Sequence, residues 1–138
     1  DNFNAFQQRV HTKMKAWREQ MKPLQGSNVV EYHRTFSYLA DSFGFSLVDE
    51  LEPKPGIPPS AGHIRELVPR LKAMNVKLIL IEPFHERKTP TFVAQQTGAK
   101  VVMIPSTVGG VPGTDDYISF MDTIVTRLVQ AYASHGGL

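Results

Sequence analysis

The polar residues of this sequence best placed for chemistry sit at the ends of apolar runs. Glu82-Pro83-Phe84-His85-Glu86 follows residues 76–81 (VKLILI), a run that is apolar but for Lys77. A carboxylate at the end of such a run must be paired, hydrogen-bonded or metal-bound, because a lone buried charge is costly. Glu82, His85 and Glu86 together offer oxygen and nitrogen ligands, while Arg87 and Lys88 offer the simpler alternative of ion pairs with the two acids. His33 follows another β-rich run, residues 28–32 (NVVEY), where a helix is about to open. A neutral imidazole there can ligate a metal or move a proton, or it can simply bond to backbone. The other histidines carry less. His63 falls in the first turn of a helix and reads as structural, His11 lies off the apolar stripe of its helix, and His135 sits in the C-terminal tail.

Signatures of established catalytic chemistry are missing. The sequence has no GxSxG elbow, no P-loop and no HExxH. Gly109, Gly110 and Gly113 lack the GxGxxG spacing of a phosphate cradle and read as a flexible turn.

The elements that position these residues alternate. Residues 4–22 predict a helix, with Phe3, Phe6, Val10, Met14, Trp17 and Met21 on one face at steps of three and four. Pro23 and Gly26 end it. After the strand 28–32 come a helix over 36–43 closed by Gly44, a half-buried or edge strand over 45–51 and a stiff Pro-rich connector, 52–59. Ser60 is placed to cap a helix carrying Ile64, Leu67, Val68, Leu71 and Met74. The run 76–81 predicts a central strand buried on both faces. A helix over 90–97, a strand over 100–104, the glycine loop 105–114 and a helix over 115–133 complete the chain, with Asp115 and Asp116 complementing the last helix's dipole.

This rhythm predicts an α/β fold: a three-layer sandwich with a mainly parallel sheet of about four strands, preceded by a long helix. In such sheets function gathers at the carboxyl ends of the strands. Those ends carry Tyr32-His33, Glu52-Pro53, residues 82–86 and Pro105-Ser106-Thr107.

Composition narrows the classes. The chain has 138 residues, 41% hydrophobic and 20% charged, which is enough for one ordinary globular domain with a core. A formal charge of +2 without a basic, aromatic-interleaved stripe argues against a nucleic-acid partner. No apolar run approaches the roughly 20 residues of a membrane span. Cysteine is absent, which excludes disulfides, thiolate metal sites and thiol catalysis. The sequence opens at Asp1 on a helix that looks like the middle of something larger, so a fragment is expected.

Four stretches in order carry a resemblance: YHRTFSYLADSFG (from Tyr32), LEPKPGIPPSAGHIREL (from Leu51), LILIEPFHERKTPTFVAQQTGAKVV (from Leu78) and PSTVGGVPGTDDYISFMD (from Pro105). The chain resembles the zinc- and manganese-binding substrate-binding proteins of bacterial ABC transporters. That resemblance implies two α/β lobes joined by a long helix, with metal in the cleft between them. Residues 1–25 correspond to the linking helix and 26–138 to the C-terminal lobe, with the N-terminal lobe absent. It further implies capture, not catalysis, on the periplasmic or extracellular face of the membrane, and delivery of a divalent ion to an ABC permease.

The family's metal is held by two histidines of the N-terminal lobe and two ligands of the C-terminal lobe. The first of the latter, a His or Glu at the start of the helix after the lobe's first strand, matches His33. The second is usually an Asp just after the last strand, where this sequence reads Pro105-Ser106-Thr107. A water, Glu82, His85 or Asp115 is left to substitute, since a hydroxyl is a poor zinc ligand. An imidazole at position 33 favours Zn2+ over Mn2+, and Glu82 is the expected acceptor for its second nitrogen. A lobe parted from its partner exposes an apolar face, so self-association is expected. Two functions from other classes compete: a small α/β enzyme using Glu82, His85 and His33 as acid–base groups, and an adhesion or structural module.

Overall fold

The computed structural model describes residues 2–134. Its first helix, α1 (Asn2–Met21), carries the apolar stripe read from the sequence, but the stripe divides. Trp17 and Met21 are buried and Val10 and Met14 pack partly against the core, whereas Phe3 and Phe6 are 67% and 44% exposed. A 3-10 turn over Lys22–Leu24, with Pro23 inside it, then redirects the chain into the sheet.

The remaining order is β1 (Asn28–Glu31), α2 (Ser37–Phe43), β2 (Ser46–Glu50), α3 (Ala61–Ala73), β3 (Leu78–Ile81), α4 (Lys88–Thr97), β4 (Lys100–Met103) and α5 (Tyr117–Ser134). All the pairings are parallel and the strand order is β2-β1-β3-β4. A register shift between Val29 and Val30 bends the pairing with the edge strand β2. The expected sandwich is therefore present, and its sheet is wholly parallel.

Period-two alternation sorts the strand residues into two cores. Val29, Leu78, Leu80, Val102 and Ile104 pack with α1, α2 and α5 around Trp17, Leu39, Ile124 and Leu128. Val30, Ile79 and Ile81 face the other way, onto Ile64, Leu67 and Leu71 of α3 and Val93 of α4. Every residue of β3 is fully buried, as a central strand covered on both faces requires. Each such side chain contributes roughly 1.5–3 kcal/mol.

Two helix starts differ from the sequence reading. α4 opens at Lys88, before the expected 90, because the Glu86 carboxylate accepts the Thr89 N–H at 2.8 Å and holds the first turn. α5 opens at Tyr117 because Asp116, not Asp115, caps it: Asp116 Oδ1 accepts the Ser119 N–H at 2.8 Å. Ser60 caps α3 as expected, accepting the His63 N–H at 3.1 Å. His135 lies outside the described residues.

Candidate metal centre

At the end of β1, Glu31 is buried, and its Oε1 accepts the N–H groups of Thr35 and Phe36 at 2.8 and 2.9 Å. The carboxylate thus caps the entrance to α2 and fixes the turn that carries His33. Burial pushes its carboxyl above the ordinary range despite the two N–H donors. Glu31 hides inside a short strand, and the sequence reading missed it.

On that turn, His33 Nδ1 lies 2.5 Å from Glu52 Oε1. The hydrogen bond to Glu52 raises the imidazole's pKa, with partial burial opposing it. Glu52, two residues beyond β2, is therefore the acceptor for His33, and the expectation of Glu82 in that role is corrected. A shallow cavity of about 150 Å³ lies here, lined by His33, Arg34, Glu50, Glu52, Pro53 and Lys54 among others. The Arg34 guanidinium donates to Glu50 at 2.8 Å beside it.

Glu82, just beyond β3, is only 4% exposed. Its Oε1 accepts the Thr35 hydroxyl at 2.8 Å and its Oε2 the Ser106 hydroxyl at 2.6 Å. One carboxylate thus joins the loops that follow β1, β3 and β4. Among the described residues neither Arg87 nor Lys88 forms an ion pair with Glu82 or Glu86. Two hydroxyl donors thus satisfy the two oxygens of this buried carboxyl group.

His85 closes a turn back onto Glu82: its N–H donates to the Glu82 carbonyl at 3.1 Å, and its Nδ1 accepts the Glu82 N–H at 3.0 Å. Its ring stacks on Tyr32 at 4.1 Å and 14°. Burial lowers the imidazole's pKa, against the pull of Glu82. The Tyr32 hydroxyl, raised above the ordinary phenol range by burial, donates to Glu86. Burial works against the Glu86 carboxylate, but bonds from Tyr32 and Thr89 hold its pKa below the usual value.

The structure thus gathers His33, Glu82 and His85 at neighbouring strand ends, where each acts on the charge of another. Asp115 is exposed ahead of α5 and is not among the groups acting on them. Among the described residues no group of three or more His, Asp or Glu side chains is placed to hold a metal ion. His63 Nε2 is buried without a hydrogen-bond partner.

The glycine loop is built rather than slack. The Gly109 N–H donates to Thr114 at 2.6 Å, Gly110 to Thr107 at 2.9 Å, and the buried Thr114 hydroxyl to the Val111 carbonyl at 2.7 Å. A Cβ on Gly110 would meet the Thr107 carbonyl oxygen at 2.9 Å. These amides close the loop on itself. Nor is Ser106 set up as a nucleophile, because its proton goes to a carboxylate that already accepts a second hydroxyl.

The fold is an α/β sandwich with polar groups gathered at the carboxyl ends of its parallel strands and a long helix packed against one of its cores. The family model described as "Zinc-uptake complex component A periplasmic" (ZnuA) matches residues 1–131, and the chain belongs to that family. It is a family of metal-binding, solute-binding proteins of ABC transporters, not of enzymes.

Among solved structures, FpvC from Pseudomonas aeruginosa in complex with Mn2+ is 22% identical with a TM-score of 0.65, over 91% of this chain and 50% of that one. The laminin-binding protein Lbp of Streptococcus pyogenes is 26% identical with a TM-score of 0.71, over 94% and 50%. Laminin-binding protein Lmb of Streptococcus agalactiae, described as having adhesin and metal-transporting activity, is 25% identical with a TM-score of 0.68, over 91% and 50%. The chain spans about half the length of these proteins. No curated protein matches it.

Proposed function

We propose that this chain is the linking helix (1–25) and C-terminal lobe (26–138) of a substrate-binding protein that captures a divalent metal, zinc foremost, outside the cytoplasmic membrane and delivers it to an ABC permease. One observation carries the reading: the Glu52 carboxylate can only accept, so His33 Nδ1 holds a proton and Nε2 keeps a lone pair for an ion. The donor set favours zinc over manganese because this lobe brings imidazole to the site, while its nearby carboxylates are engaged with hydroxyls and ring nitrogens. One nitrogen is not a complete site, so the remaining ligands come from the half of the protein that this chain does not include. Parted from that half, the chain self-associates through its exposed apolar side chains, Phe3 and Phe6 of α1 foremost.

Zinc calorimetry on the chain and on its His33→Ala variant tests the reading. A weak binding isotherm that the substitution abolishes is the expected result. An isotherm indifferent to position 33 removes the reading.

A further inference from the structure

We infer that the exposed basic face of α1, with the groove beside it, docks a linear sulfated polysaccharide. This surface is separate from the strand-end residues and does not rest on the metal-capture reading. Lys22 and Gln25 lead into β1, and Gly44 leads into β2. The groove therefore lies at the amino ends of those strands, whereas His33 and Glu52 follow their carboxyl ends.

The face is set by spacing along the helix. His11, Lys15, Arg18 and Lys22 recur at steps of four, three and four, which places them within an arc of about 60°. All four are exposed. Gln7 and Gln8 carry the same strip one turn further, so it runs about 22 Å from Gln7 to Lys22 at 1.5 Å per residue.

Charge is concentrated here. Residues 2–24 hold five of the chain's 15 Lys and Arg, against the single acid Glu19. Lys13 is engaged with Asp122 at 3.1 Å. Lys22 pairs with Glu19 at 2.9 Å, but both side chains are mostly exposed, so that pair holds little. Among the described residues Lys15 and Arg18 have neither an ion pair nor a hydrogen bond. Like charges three and four residues apart repel one another, and an anion laid along them relieves that cost. A groove of about 480 Å³ beside the strip is lined by Lys15, Arg18, Lys22 and Gln25, with Glu19 and Asp41 as its acids.

The occupant follows from what the strip holds and what it lacks. Sulfate esters stay ionised, and their oxygens accept charge-assisted bonds from ammonium and guanidinium groups. The sugar hydroxyls between them need partners that both donate and accept, as the side-chain amides of Gln7, Gln8 and Gln25 do. The strip carries no aromatic side chain on which the bases of a nucleic-acid strand would stack. Nor is its helix free to enter a lipid surface, because the apolar face of α1 at Val10, Met14, Trp17 and Met21 is turned into the core.

Calorimetry with a heparin-derived oligosaccharide, in EDTA to exclude metal, tests the inference. Binding that weakens as salt is raised is the expected result. Lys15→Ala with Arg18→Ala should lower the affinity at least about tenfold, and make the slope of log affinity against log salt shallower by about 1–2. Arg65→Ala with Lys72→Ala removes the same charge from exposed positions of α3, on the other face of the sheet, and should stay within about threefold. Equal losses in the two double variants, or no binding by the parent chain, overturn the inference.

Three other anions test the choice of occupant. Polyglutamate, polyphosphate and phosphatidylglycerol vesicles should each bind at least about tenfold more weakly than heparin, because none offers sugar hydroxyls to the amides. Gln7→Ala with Gln8→Ala should weaken heparin binding and leave its salt slope unchanged. Any of the three anions binding as tightly as heparin, or heparin affinity indifferent to the two amides, overturns the inference.

Discussion

His33 is the residue on which the account turns, and its chemistry is set by Glu52. The hydrogen bond raises the imidazole's pKa, so protons compete with metal to a higher pH than for a free histidine, whose value is about 6.5. Under the proposed capture of zinc by His33, affinity should therefore climb as pH rises through the raised value and level off above it. Glu52→Gln should move that climb to lower pH and reduce the plateau affinity about 10–100-fold, as titrations at a series of pH values would show. The stability sign follows from the same shift. Protonated His33 stabilises the fold below its unfolded pKa, and that increment fades as pH rises through the folded pKa.

Ser106 carries a second residue-scale prediction. Its hydroxyl lies 2.6 Å from Glu82 Oε2, so Ser106→Asp sets one carboxylate against another. The metal-free variant should lose about 1–3 kcal/mol of stability in urea denaturation, with zinc restoring part of it. His33 and Glu82 stood out in the sequence because each ends an apolar run. Glu52 and Ser106 also lie in strand-end segments, but which group each meets was not legible: Glu52 is 19 residues from His33, Ser106 is 24 from Glu82, and no local pattern encodes such pairings.

At the scale of elements, α1 is fastened to α5 by one aspartate. Asp122 accepts the buried Trp17 indole N–H at 2.8 Å and pairs with Lys13 at 3.1 Å. Asp122→Ala leaves the indole N–H unpaired and should cost about 1–3 kcal/mol in urea denaturation. Asp122→Asn keeps an acceptor and loses only a half-exposed ion pair, at a cost of about 1 kcal/mol or less. A similar cost for the two variants would show that the indole bond does not hold the helix. The elements themselves were legible, because β3 is apolar on both faces and Gly44 and Gly98 end their helices in left-handed conformations. The start of α5 was not, because Asp115 and Asp116 are chemically identical and only the backbone decides which one caps.

For the whole molecule, the proposed self-association rests on exposed apolar side chains. Phe3 and Phe6 project from the opening turns of α1, while Phe84, Val108 and Ile57 stand on segments that follow strand ends. The sequence showed the α1 stripe as continuous; only the packing shows that its first turns lie outside this core. Sedimentation velocity on the chain should show concentration-dependent association, and Phe3→Glu with Phe6→Glu should return it to monomer. A monomer at every concentration would contradict the proposed self-association. Among the described residues no helix is long and apolar enough to cross a membrane.

The central claim is that this chain holds one part of a divided metal site. The most direct measurement is zinc calorimetry on the protein extended to the length of its structural relatives, beside this chain alone, each with and without His33→Ala. Tight binding by the longer protein, weakened at least about tenfold by the substitution and largely lost in the chain alone, is the predicted result. A longer protein that binds no zinc, or binds it equally well without His33, would contradict the account.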